Sequence, residues 1–151
     1  MNDEKRRRAR ELMKLYYGGI VEDEIINLFP ALTSGGRTNS GITWVYNEDG
    51  TVTATGTATQ NSWSYGAPPN VSLLAGVYTA SVSQPFSLVI ANITDGGYLY
   101  NGNDNVFTFT LDSPTTISVT ARVARGITIN ATTGIMLETG STAHNWKPYR
   151  G

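Results

Sequence analysis

Residues 41–59 read GITWVYNEDGTVTATGTAT, and few folds accommodate that pattern. Two runs of β-branched and aromatic residues flank Asn47-Glu48-Asp49-Gly50. Asp-Gly between such runs signals a hairpin, because glycine takes the positive φ that a tight turn requires. The second run has a period of two. Val52, Ala54, Gly56 and Ala58 point to one face, and Thr51, Thr53, Thr55, Thr57 and Thr59 to the other. Trp44 and Tyr46 share a face of the first run, which predicts burial in a core or an interface.

The chain after this hairpin adds more strands. Val77–Val82, Phe86–Ile93, Tyr98–Tyr100, Val106–Leu111, Thr116–Val123 and Ile127–Glu138 are separated by turn signals such as Ala75-Gly76, Asp95-Gly96-Gly97, Asn101-Gly102 and Asp112-Ser113-Pro114. No long amphipathic helix follows residue 20, which excludes βαβ folds. Eight to ten short strands predict an all-β fold, an antiparallel β-sandwich or jelly roll.

The start of the chain differs in kind. Residues 1–19 predict one short N-terminal α-helix, stopped by Gly18-Gly19. Ala9, Leu12, Met13 and Tyr16 form an apolar stripe flanked by Leu15 and Tyr17. Lys5, Arg6, Arg7 and Arg8 sit in the first turns, where the helix dipole disfavours cations. Three readings stand open: a solvated leader, an assembly helix that docks on a partner or bundles with copies of itself, and an arm for nucleic acid or a membrane surface. Residues 20–40 form a connector. Its apolar run Ile25–Phe29 reads as a first strand or as the tie between arm and domain, and Ser34–Ser40 as a loop. Residues 41–151 form the sandwich domain.

Charge narrows the function classes. The net charge is −1 and only 15% of residues are charged, too balanced for a nucleic-acid binder. No apolar run is long enough to span a bilayer, which predicts no membrane insertion, and no h-region follows the basic start. There is no cysteine, hence no disulfide and no thiolate chemistry.

Candidate chemistry is sparse. His144 is the single histidine, and no spacing joins it with Ser141 and an aspartate into a triad. Glu48, Asp49, Asp95, Asp104, Asp112 and Glu138 nearly all fall in predicted turns, where local backbone bonding explains acidic residues without a glycosidase pair. Asn101, Asn103 and Asp104 supply oxygens for Ca²⁺, but with too few carboxylates and the wrong spacing for an EF-hand loop. The expectation is therefore no catalytic residue, no metal and no cofactor. Binding is what remains. Trp63, Tyr65, Tyr98 and Tyr100 lie in or beside loops, with Asn103 and Asp104 nearby. Such aromatics stack on sugar rings, with polar neighbours bonding to hydroxyls; the competing reading plugs the sandwich ends or a subunit seam with them. Trp146 and Tyr149 read as clasps for the C-terminal tail.

Five stretches in order, NLFP (27–30), GITWVYNEDGTVTATGTAT (41–59), LLAGVYTASV (73–82), FTFTLDSPTTISVTARVARG (107–126) and IMLETGSTAHNWKPY (135–149), carry a resemblance. Over residues 25–149 the chain resembles the lectin-like, carbohydrate-binding-module-like β-sandwich of tailed-bacteriophage virion proteins. The closing stretch is the most specific part, and Leu74 stands where that group often has proline. The domain commonly ends a larger structural protein, whereas a short helix precedes it here. The resemblance implies a head fibre, decoration or tail protein in the virion, assembled in the host cytoplasm. It also implies a homotrimer, a capsid or tail protein as partner of the helix through Arg6, Arg7, Arg8, Leu12, Met13, Leu15, Tyr16 and Tyr17, and a cell-surface glycan as ligand. A cementing protein without ligand is the alternative, and a glycan-cleaving enzyme a more distant one.

Overall fold

The computed structural model describes residues 3–7 and 24–149. Residues 3–7, with Arg6 and Arg7, are helical; the rest of the expected helix, with Arg8, Leu12, Met13, Leu15, Tyr16 and Tyr17, lies outside the described residues. Twelve strands follow: β1 Gly36–Asn39, β2 Ile42–Tyr46, β3 Val52–Thr57, β4 Ser62–Trp63, β5 Asn70–Leu73, β6 Gly76–Ser81, β7 Ser87–Asn92, β8 Tyr98–Asn101, β9 Val106–Leu111, β10 Thr115–Val123, β11 Thr128–Thr133 and β12 Met136–Thr139. They form antiparallel sheets in the orders β1-β2-β3-β11, β4-β10-β7-β8 with β5 also on β10, and β12-β6-β9. The arrangement is that of an all-β sandwich.

The hairpin forms as its sequence dictates. Trp44 lies opposite Ala54, and Tyr46 opposite Val52, so large rings face small side chains across the pair. At the turn Gly50 has φ 92° and donates its N–H to the Asn47 carbonyl. Asp49 accepts from both the amide and the hydroxyl of Thr51, which holds its carboxyl below the usual value. The threonine face extends across β11, where Thr53 meets Thr132 at 2.7 Å and Thr57 meets Thr128 at 2.8 Å. Gly56 is required where β3 passes Gly41, since an added Cβ would lie 2.2 Å from the Gly41 carbonyl oxygen.

Trp44 joins two sheets. It is 1% exposed, its ring centroid lies 5.9 Å from Phe86, and its indole N–H donates to Ser62 Oγ on β4. The inner face of the β10 sheet supplies Leu88, Ile90, Ile117, Val119, Ala121 and Val123, all fully buried. Burying a side chain such as each Leu, Ile or Val contributes about 1.5–3 kcal/mol relative to exposure. A row of aromatics, Tyr78, Phe109, Phe107 and Tyr100, runs from β6 through β9 to β8.

Three segments refine the sequence reading. Ile25–Phe29 is not a strand: Asn27 makes one isolated parallel bridge to Tyr149, and Phe29 is a fully buried plug. The segment is tied by a side chain, so it acts as the tie. The expected loop Ser34–Ser40 instead contains β1, because Gly36 lets its backbone lie close against β2, with no room for a Cβ beside the Trp44 carbonyl. The closing run Ile127–Glu138 is two strands, broken at Gly134-Ile135. The Trp146 ring lies over Gly134 so closely that a Cβ there would overlap it. β11 thus pairs with β3, and the same run of chain passes to β6 as β12.

Candidate functional site

The outer face of the β10 sheet can be read from its register. Trp63 pairs with Arg122 and Arg122 with Ser87; Thr120 pairs with Val89; Ser118 pairs with Ala91, and Ala91 with Tyr98. Paired residues share a face, so β4, β10, β7 and β8 lay these side chains out in rows. The sequence signal is the alternation Ile117-Ser118-Val119-Thr120-Ala121-Arg122-Val123, apolar on the core face and polar on the other, where Ser118, Thr120 and Arg122 are themselves buried.

A groove of about 440 Å³ lies on this face. Trp63, 36% exposed, and Tyr98, 63% exposed, stand in its lining. Ser118, Thr120, Val89, Ala91 and Ile93 come from the sheet and its edge, Pro68 and Gly66 from the loop after β4, and Arg37 and Asn39 from β1. Arg37 Nη1 donates to the Trp63 carbonyl at 3.4 Å. Asn39 Oδ1 is buried without a hydrogen-bond partner. The combination of aromatic faces, an apolar strip and a few polar groups matches the usual chemistry of a small-ligand site.

Tyr65 lines the groove from beneath rather than from its rim. It is 4% exposed and packs on Tyr46 at 5.0 Å and Phe29 at 5.9 Å. A ring so buried offers no face for stacking. β4 ends at Trp63, the alternation stops there, and the next aromatic turns into the core. Burial pushes the Tyr65 phenol up to about 12, against a backbone hydrogen bond with Leu32 that pulls it down. The neutral phenol is the form the fold favours. Its contribution is complete below pH 10 and is lost as pH rises towards 12, about 2–3 kcal/mol in all. Tyr65→Phe is expected to flatten the fall in stability between pH 10 and 12 without abolishing it, since burial raises Tyr46 and Tyr78 as well. Denaturant unfolding at stepped pH checks this; equal slopes in both proteins would contradict it.

Tyr100, Asn103 and Asp104 belong to a different arrangement. Tyr100 stacks on Phe107 at 4.4 Å, and its hydroxyl accepts the Asp104 N–H. Arg122, only 7% exposed, donates to Asn101 Oδ1 at 3.4 Å and to Asn103 Oδ1. Two of the three side chains considered for Ca²⁺, Asn101 and Asn103, therefore already face a guanidinium, whose charge would repel a divalent cation. Arg122 Nε and Ser87 Oγ, on cross-strand neighbours, are both buried without partners. Among the described residues there is no group of three metal-ligating side chains.

His144 has a partner the sequence did not suggest. Glu138 sits on β12, not in a turn, and is 3% exposed. It accepts both the His144 backbone N–H and the ring Nδ1. A buried carboxylate that orients an imidazole is one half of an acid–base device. Ser81 and Ser83 line the same small cleft as His144, but among the described residues no serine hydroxyl bonds to the ring. Among the described residues no carboxylate lines the Trp63 groove.

The fold and groove together define an all-β sandwich with one open, aromatic-lined groove on a sheet face. Comparisons with family models, curated proteins and solved structures returned no match.

Proposed function

We propose that this chain is a non-enzymatic glycan-binding protein of a phage virion, a head fibre, decoration or tail protein. Its N-terminal helix anchors it to a capsid or tail protein, and a homotrimer of sandwiches faces outward. The groove carries the binding part of this reading: Trp63 and Tyr98 present aromatic faces beside Ser118, Thr120 and Asn39 on a rigid sheet. The motif order from Asn27-Leu28-Phe29-Pro30 to the closing tail supports the virion setting. A groove lining without a carboxylate favours binding over hydrolysis.

A cementing role without ligand is the second reading. Exposed Leu74, Val77 and Val106 favour it, as apolar side chains suited to a subunit seam. A glycan array with the full chain, followed by titration of the best binder, separates the two. Trp63→Ala and Tyr98→Ala are each expected to weaken binding about 10- to 100-fold with little change in melting temperature. Silence across the array, or full binding by both variants, would remove the groove from the account.

A further inference from the structure

Among the described residues Arg37 is the one charged side chain that lines the groove. It stands on β1 beside the exposed Trp63, whose carbonyl accepts its Nη1–H. That bond is long and involves a neutral acceptor, so most of the guanidinium's donors remain for a ligand. Of the turn acids, Asp95 accepts from the Asn92 side-chain amide at 3.3 Å, and Asp104 is bonded through its backbone N–H to the Tyr100 hydroxyl. Neither lines the groove. Arg122, on the same sheet face, is held by two asparagine oxygens rather than by an acid. Among the described residues the groove lining therefore holds one guanidinium and no carboxylate, with Arg122 buried on the same sheet face, an electrostatic setting that favours anions.

Building on the glycan-binding reading, we propose that the groove takes acidic saccharides. A uronate, sialate or phosphate group on the sugar pairs with Arg37, while the sugar ring stacks on Trp63 or Tyr98. The Asn39 side chain also lines the groove, with its oxygen buried and unpartnered. An arginine fork matches a carboxylate or phosphate in two-point contact, which fixes the ring against the aromatic. A neutral sugar fills the stacking surface but leaves the guanidinium unsatisfied.

The test is an array of matched pairs, with uronyl, sialyl and phosphorylated glycans printed beside their methyl-esterified or unsubstituted counterparts, probed with the full chain. Acidic members are expected to bind at least about tenfold more tightly than their neutral partners. That margin is expected to shrink in 1 M salt, where the Debye length falls to about 3 Å. Arg37→Gln is expected to erase the margin while leaving the melting temperature in place, and Arg37→Lys to restore part of it. Equal binding of both members of the pairs overturns the acidic assignment and leaves glycan binding intact. Absence of binding to either class overturns both. Acid selectivity that survives Arg37→Gln with the fold intact removes Arg37 from the site and so overturns the proposal.

Discussion

Replacing Asn27 with alanine is expected to lower the unfolding free energy by about 3–5 kcal/mol. The side chain is 2% exposed and makes four hydrogen bonds. Its amide donates to the Ile135 carbonyl at 2.9 Å and to the Lys147 carbonyl at 2.7 Å. Its oxygen accepts the Phe29 and Leu137 amides, each at 3.0 Å. Alanine orphans two buried N–H groups and one buried C=O at about 1–3 kcal/mol each; the Lys147 carbonyl, near the surface, takes water instead. Three pieces of chain lose their common anchor: the connector, β12 and the tail. Urea unfolding gives the magnitude, and hydrogen exchange at the Leu137 amide locates it. A loss below about 1 kcal/mol, or unchanged exchange at Leu137, would mean that the backbone bond from Leu28 to the Leu137 carbonyl suffices.

Trp44→Ala is expected to cost a similar 3–5 kcal/mol, for a different reason. Here volume is lost at the centre of the sandwich, against Phe86 and opposite Ala54. Trp44→Phe separates the contributions. It keeps a ring but removes the 2.9 Å bond to Ser62 Oγ, and is expected to cost about half as much. Ser62 in turn donates to the Asn39 carbonyl at 2.8 Å. The neighbour of Ser62 is Trp63, and β4 is only two residues long. Both variants are therefore expected to weaken ligand binding through a displaced Trp63, although Trp44 does not line the groove. Near-ultraviolet circular dichroism and a binding titration on the same samples check this. If Trp44→Ala loses stability while affinity holds, β4 is positioned by its pairing with β10 alone.

The sandwich was legible because its strands obey period two and its turns carry Asp-Gly and Asn-Gly. The hairpin partners follow directly from those two facts. Asn27 was not legible as an anchor, since its partners lie 108–120 residues away and nothing local marks them. Glu138 reads as the end of the closing strand, and what was not legible is its burial against His144, since nothing local marks that contact. The groove was half legible. Trp63 and Tyr98 were singled out as loop aromatics, and both stand exposed in its lining. Tyr65 reads as another aromatic of the same polar loop, and nothing in that loop's composition marks it as packed on Tyr46 and Phe29. Arg37 and Asn39 were hidden in a stretch whose glycines and serine spelled a loop. Which strand faces assemble into a groove depends on pairing between distant segments, and composition carries no record of that.

The bridge between Asn27 and Tyr149 brings the entry and exit of the sandwich side by side. A tug arriving along the chain at residue 24 meets the Asn27 amide before it meets any strand. Its four polar bonds share the strain and pass it to β12 and the tail, with the hairpin outside that path. A load from that side therefore falls on one small knot of chain, the Asn27 amide, the Leu28 bond to the Leu137 carbonyl and the buried Phe29 ring, before any strand pair is peeled.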